Sequence, residues 1–138
     1  MRLTAFTDYG LRALMRLASE PERLFTTDEI AQEFAISRNH LTKVVRELAS
    51  AGFIATQRGS GGGFRLAQAP EAISIGAVVR HLESRHALVE CFRSDGGHCI
   101  LTPKCRLKRR LAAAAKAFLD ELDKSTLAEC AYPPRPAR

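Results

Sequence analysis

The sequence predicts a mainly α-helical protein that carries one small β-hairpin and ends in a long helix. Apolar residues recur at helical spacing in five segments. One glycine-rich turn separates two short strand-like runs. Hydrophobic residues make up 46% of the 138 positions, which is enough for a buried core. We expect residues 1–69 to form one unit, residues 70–129 to form a second, and residues 130–138 to be a flexible tail.

The first two helices are marked by apolar faces and by their ends. The first is predicted over about residues 3–19. Glu20-Pro21 ends it, because the residue before a proline disfavours helical backbone. The segment Thr26-Thr27-Asp28-Glu29 is a Thr-x-x-Glu capping box, which begins a second helix that stops near residues 35–36. The apolar face of the first helix consists of Phe6, Gly10, Ala13, Leu14 and Leu17.

The third helix combines an apolar stripe with a basic face. Ser37 is a favourable N-cap for a helix over about residues 38–51, and Gly52 favours its end. The stripe consists of Leu41, Val44, Val45 and Leu48. The opposite face carries Arg38, Asn39, Thr42, Lys43 and Arg46.

The hairpin and two more helices follow. Strand-like runs at 53–58 and 64–67 flank a Gly-Ser-Gly-Gly-Gly turn, with Arg58 and Arg65 on either side of it. A short helix is predicted over 74–84. Thr102-Pro103 predicts the N-cap and first residue of a long helix over about 103–123, which would place Cys105 near its third position.

The charge distribution predicts a polyanionic partner. The net charge is +6, and five basic residues between positions 37 and 65 face a single acid, Glu47. Such an excess favours nucleic acid, although a solvated basic face is the alternative. No apolar run approaches the roughly 20 residues that cross a bilayer, and the N-terminus lacks a signal peptide's apolar centre. The sequence therefore predicts a cytoplasmic protein without a membrane partner.

A short helix, a tight turn and a basic helix are the parts of a helix-turn-helix, and the glycine-tipped hairpin makes it a winged helix. The third helix fits the major groove of double-stranded DNA, where N-terminal residues reach base edges. Glycines at the hairpin tip allow close approach to the DNA backbone. The candidate DNA-binding residues are Ser37, Arg38, Asn39, Lys43, Arg46, Arg58, Gly61 and Arg65. No nucleophile–base set or phosphate loop supports an enzyme.

Three of the four cysteines occur in one loop, spaced Cys91-x7-Cys99-x5-Cys105. Three neighbouring thiolates suit a soft metal or an iron–sulfur cluster, either 4Fe–4S or 2Fe–2S. A zinc site normally has four ligands in close pairs, and a thiol-redox switch leaves one cysteine unexplained. Cys130 is interpreted as a bystander. The fourth ligand stays open, with local candidates His86, Glu90, Asp95 and His98.

Three parts of the chain resemble the NsrR/IscR family of winged-helix iron–sulfur regulators. They are TDYGLRALMRLA at 7–18, the segment 26–67 with its RGSGGGFRLA wing, and the three-cysteine loop. The resemblance covers about residues 1–129. It implies a homodimer formed through the long C-terminal helix, palindromic operator DNA, and an iron–sulfur cluster that controls DNA affinity.

The fourth ligand distinguishes branches of that family. The IscR-like branch has a histidine three residues after its third cysteine, where this chain has Lys108. The nitric-oxide-sensing branch uses an acidic residue of the first helix of the partner subunit, and the matching residue is Asp8. The resemblance thus implies a repressor with a 4Fe–4S cluster that reacts with nitric oxide. An ion pair with Arg12 is the structural alternative for Asp8, and the two roles could alternate.

An IscR-type oxidant or iron–sulfur sensor and a zinc or thiol-redox DNA-binding protein remain the alternative functions. Both keep the DNA-binding unit and change only the chemistry of the cysteine loop.

Overall fold

The computed structural model describes residues 2–134. Within them, five α-helices and one two-stranded sheet form the fold. None of these helices combines the length and apolar character needed to cross a bilayer. In chain order the elements are α1 (Ala5–Ser19), α2 (Thr27–Phe34), α3 (Arg38–Ser50), β1 (Ile54–Gln57), β2 (Gly63–Leu66), α4 (Ile75–Leu82) and α5 (Arg106–Leu122).

Local side-chain caps explain where the first three helices begin. The Thr4 hydroxyl accepts from the Thr7 N–H at α1, and Ser37 accepts from the His40 N–H at α3. At α2 both halves of the capping box form between Thr26 and Glu29. These bonds satisfy helix N–H groups that have no partner within the helix. The caps predicted for α2 and α3 are therefore present in the structure.

The core lies where α1 packs against α3 and α4. Leu14, Leu41 and Val78 are completely buried there. Gly10 allows the close approach, because a Cβ at this position would lie 2.5 Å from Leu82 Cδ1 and 3.4 Å from Val44 Cγ1. Three helices consequently meet around one small residue of α1.

The hairpin is tied to the helices at its base. β1 and β2 are antiparallel, with Ile54 opposite Leu66 and Gln57 opposite Gly63. Phe25, which precedes α2, forms a bridge with Phe64 through two backbone hydrogen bonds of 2.8 Å. In β2 burial alternates, with Phe64 and Leu66 in the core and Arg65 exposed, whereas in β1 only Ile54 is buried.

The long helix α5 begins later than the sequence predicts. Residues Thr102–Lys104 form a 3₁₀ turn, and α5 starts at Arg106 with Cys105 at its N-cap. The predicted start at 103 and the placing of Cys105 inside the helix are therefore wrong. Thr102 does not cap α5, because the Cys105 N–H bonds to the Thr102 carbonyl and closes the tighter turn. No residue of α5 is buried in the single chain.

After α5 the chain returns to the N-terminal helices. The Leu127 N–H donates to the Ile73 carbonyl at 2.8 Å, and the Tyr132 N–H donates to the Met15 carbonyl of α1 at 2.9 Å. Ala131 is buried. The first residues of the expected flexible tail are therefore packed, which corrects that prediction for residues 130–132. Residues 135–138 lie outside the described part of the chain.

Gly63→Ala is expected to destabilise the protein by about 1–3 kcal/mol. A Cβ at position 63 would overlap the carbonyl oxygen of Phe25 and break the attachment of the hairpin. Urea unfolding followed by circular dichroism measures the loss. Ser60→Ala at the exposed tip is the control and should change stability by less than about 0.5 kcal/mol. Equal stability of the two variants would contradict this account of the hairpin base.

Candidate nucleic-acid interface and cysteine loop

The apolar face of α3 is buried and its basic face is exposed, as the composition of each face predicts. Leu41, Val44 and Leu48 are buried against the core. The candidate DNA-binding residues Ser37, Arg38, Asn39, Lys43 and Arg46 are all exposed. An exposed basic face on a helix held by its apolar stripe presents side chains in the way that major-groove reading needs.

The wing follows α3 directly and presents further cations. Arg58, Gly61 and Arg65 are exposed. Gly59 and Gly61 have φ values of 100° and 73°, a left-handed region that glycine adopts without strain. Among the described residues, neither arginine has an ion-pair partner within 4.0 Å. Both guanidinium groups are thus available to an anionic backbone.

An acidic residue that the sequence analysis missed lies beside this surface. Asp28 Oδ1 of α2 pairs with Arg38 Nε of α3 at 2.7 Å. Both side chains are well exposed, at 64% and 70%. Exposed pairs contribute little to stability, so the importance of Asp28 lies in where it holds the guanidinium. No local pattern reveals this contact, because it joins two helices across the turn.

The three loop cysteines are half-buried and free of disulfides. Cys91 lies in a 3₁₀ turn (Glu90–Phe92), Cys99 in the following loop, and Cys105 at the N-cap of α5. Gly96 and Gly97 have φ values of 79° and 63°, which lets the chain reverse between the first two cysteines. The spacing thus places three thiols on separate turns of one exposed segment.

Two candidate fourth ligands are used to hold this loop together. Asp95 accepts from the Gly97 N–H at 2.9 Å and pairs with Arg93 at 2.6 Å. Glu90 accepts from the His98 N–H at 2.8 Å. Removing either carboxylate from its partner would loosen the loop that carries the cysteines.

The donor set fits a thiophilic metal group in its chemistry. One buried hydroxyl in this segment, Thr102 Oγ1 between Cys99 and Cys105, has no hydrogen-bond partner within the described residues. Buried polar atoms normally have partners, so this unpartnered hydroxyl in the cysteine segment is a group that a bound ligand could satisfy. Within residues 2–134, however, no three His, Cys, Asp or Glu side chains are gathered in coordinating geometry. The thiols share a loop without forming a closed site.

Asp8 lies on α1 and makes the local ion pair that the sequence analysis considered. Its Oδ2 is 2.7 Å from Arg12 Nη2, and a second bond of 3.2 Å joins Oδ1 to Nε. The side chains are 47% and 44% exposed, so the pair is open to solvent and easily exchanged.

A winged helix with a basic α3 defines a helix-turn-helix transcriptional regulator. The family described as Rrf2, iron-dependent transcriptional regulator, matches residues 3–132. The chain belongs to the Rrf2 family. This confirms the predicted kind of protein, a DNA-binding regulator rather than an enzyme.

Relatives named HTH-type transcriptional regulator NsrR are similar over nearly the whole chain. The protein of Bacillus licheniformis is 49% identical over 128 residues, covering 92% of this chain and 90% of the relative. That of Geobacillus kaustophilus is 49% identical over 130 residues, covering 94% and 88%. The family resemblance read from the sequence is thereby confirmed.

Solved structures confirm the fold class. Staphylococcus aureus CymR superposes with a TM-score of 0.70 at 26% identity, covering 98% of this chain and 99% of that protein. T. potens IscR gives a TM-score of 0.75 at 24% identity, covering 100% and 93%, which supports the fold alone.

Asp28→Asn is expected to strengthen binding to a random-sequence duplex by about two- to fivefold, the size of one exposed charge pair. The substitution removes a negative charge beside the basic face and frees the Arg38 guanidinium to interact with the polyanion. Fluorescence anisotropy at two salt concentrations measures the change, which should shrink at high salt.

The matched control is Glu121→Gln, which also breaks an exposed ion pair, to Lys124, but at the far end of α5. Equal effects of the two substitutions would show that Asp28 acts only through net charge and has no local influence on the DNA face.

Proposed function

We propose that the chain is a cytoplasmic, homodimeric repressor whose grip on palindromic operator DNA is controlled by an iron–sulfur cluster that reacts with nitric oxide. One observation carries the proposal: three free thiols share a loop on a chain that also presents a basic α3 and wing. Relatives named NsrR at 49% identity support it.

The DNA-facing roles divide between α3 and the wing. Arg38, Asn39 and Lys43 lie in the first half of α3 and are the side chains proposed to reach base edges. Arg46 lies one turn further along α3. Arg46, Arg58 and Arg65 are proposed to bind phosphates, and Gly61 to let the wing tip approach the backbone. The Ser37 backbone lies at the helix N-terminus, where N–H groups favour a phosphate.

Cys91, Cys99 and Cys105 are the residues proposed to hold a 4Fe–4S cluster, with a 2Fe–2S cluster as the alternative. Its iron would supply the reactivity toward nitric oxide. Nearby cations favour an anionic group at this place, since α5 opens with Arg106, Lys108, Arg109 and Arg110. The unpartnered Thr102 hydroxyl is available to donate to a thiolate.

Asp8 of the partner subunit is proposed as the fourth ligand. Glu90 and Asp95 are already engaged in shaping the loop, whereas the Asp8 carboxylate is exposed and pairs only with a residue of its own helix. In this proposal Asp8 binds iron in one state and pairs with Arg12 of its own helix in the other.

The dimer is proposed to form through α5. Apolar residues run along this helix, yet none is buried in the single chain, and Leu107 is 61% exposed. A partner helix would remove that surface from water. Two α3 helices held by such a dimer read half-sites about 34 Å apart, so a modest change in their separation releases DNA.

Anaerobic nitric oxide is expected to weaken operator binding of the iron-loaded protein by about 5- to 150-fold, the range of ordinary allosteric coupling. The operator is first selected from random DNA with the loaded protein, and affinity is then measured before and after the gas. The Cys91→Ser protein, lacking one thiolate, serves as the control and should not respond. An unchanged affinity of the loaded wild type would reject the switch.

Asp8→Asn is expected to alter the visible absorption of the anaerobically purified protein while lowering unfolding stability by only about 0.3 kcal/mol. The control Arg12→Gln breaks the same ion pair but keeps the carboxylate, so its spectrum should match wild type. Cys130→Ser should also load normally, since Cys130 is interpreted as a bystander. Identical spectra for Asp8→Asn and Arg12→Gln would remove Asp8 from the ligand set.

A further inference from the structure

The last turn of α4 makes polar links to three other helices. Arg80 pairs with Asp123 at the end of α5, at 2.6 and 2.7 Å. His81 Nε2 lies 2.8 Å from Glu47 Oε1 of α3. Glu83 accepts from the Thr4 N–H and hydroxyl at the start of α1, at 2.7 and 2.9 Å. One helical turn therefore touches the dimerisation helix, the DNA-facing helix and the helix of Asp8.

The position of this turn in the chain makes it a junction. Residue 84 begins the segment that leads to the three cysteines. A displacement of that segment acts first on the end of α4. Burial would raise the pKa of Glu83, but hydrogen bonds from Thr7 and Thr4 outweigh it and hold the pKa below its usual range. The α1 link is therefore a charged carboxylate at neutral pH.

The His81–Glu47 pair joins α4 to α3, the helix that is proposed to bind DNA. Within residues 2–134 it is the only side-chain hydrogen bond between α3 and α4. Glu47 lies one turn beyond Lys43 on the same rigid helix, and both members of the pair are about one-third exposed. The His81 ring also meets Phe53 edge-on, with centroids 6.2 Å apart, at the point where α3 passes into the wing. His81 therefore contacts both α3 and the residue that leads into the wing.

The solvent side of this contact is not filled by side chains. An open cleft of about 330 Å³ lies beside the pair, and its lining includes Phe6, Leu82, Ser84, Arg85 and His86. A tightly packed joint would resist displacement, because interiors are nearly incompressible. On the open side of the cleft the His81–Glu47 hydrogen bond joins α3 to α4, whereas on the buried side Val44 and Leu82 both lie against Gly10 of α1.

We propose that His81 is a positioning residue that transmits the state of the cysteine loop to α3 and the wing through Glu47. This inference rests on the proposed function, since it needs a loop with two states. His81 belongs neither to the proposed DNA-binding residues nor to the proposed iron ligands. Its loss should therefore change the ratio of operator affinities between iron-loaded and iron-free protein more than it changes either recognition surface.

The experiment measures that ratio in wild type, His81→Phe and His81→Gln. Phenylalanine keeps a ring against Phe53 but cannot bond to Glu47, and the ratio should fall at least about threefold, the value of one lost hydrogen bond. Glutamine can still donate to Glu47 and should restore it. Ser84→Ala, which lines the same cleft, is the control. Thermal unfolding verifies that each variant folds, and Glu47→Ala tests the pair from the other side should His81→Phe fail to fold.

The outcomes separate two failures. A wild-type ratio of one rejects the proposed function and this inference with it. A large wild-type ratio that His81→Phe leaves unchanged, or a variant whose two affinities fall equally, overturns the inference alone. A His81→Gln protein that behaves like His81→Phe also overturns the inference, because the hydrogen bond to Glu47 would then contribute nothing to the ratio of operator affinities.

Discussion

The close contact of α1 with α3 and α4 at Gly10 is the constraint on which the rest of the structure depends. With no side chain at this position, Leu82 and Val44 approach the α1 backbone from two sides. The helix that carries Asp8 is thereby fixed against the helix that faces DNA and against the helix that leads into the cysteine loop. A side chain at position 10 would have to displace the Leu82 methyl group, which lies on the same turn of α4 as His81 and Glu83.

Local chemistry made much of this fold predictable. The capping box at Thr26, the N-cap at Ser37 and the glycine turn of the wing each act within a few residues, so the sequence pattern contains the whole interaction. The start of α5 was not predictable in this way, because Thr102-Pro103 favours an α-helix and a 3₁₀ turn equally well. The Glu83–Thr4 contact joins residues 79 positions apart. The local periodicity of the sequence does not predict which polar groups meet when distant helices pack. The same division holds for the candidate site. The sequence pattern predicts the cysteines and the basic residues, but it does not predict the contacts of Asp28 and His81.

The charge pattern of α5 is unfavourable for an isolated helix. Its first turn carries cations and no acidic residue, although the N-terminus of a helix already bears partial positive charge. A free-standing helix would be more stable with aspartate or glutamate there. The same cations directly follow Cys105, where they would lower the energy of an anionic group bound at that end of the loop. The start of α5 is therefore electrostatically unfavourable for the helix itself, in the place where the proposed function requires positive potential.

The return of the chain after α5 has a mechanical consequence. Hydrogen bonds from Leu127 to Ile73 and from Tyr132 to Met15 anchor the C-terminal end of α5 to the body of the protein, while its N-terminal end adjoins the cysteine loop. A 17-residue helix is about 25 Å long, so a tilt of about 10° about this anchored end would move the opposite end by about 4 Å. Any rotation of α5 near Asp123 would therefore displace the helix most at its other end, next to Cys105.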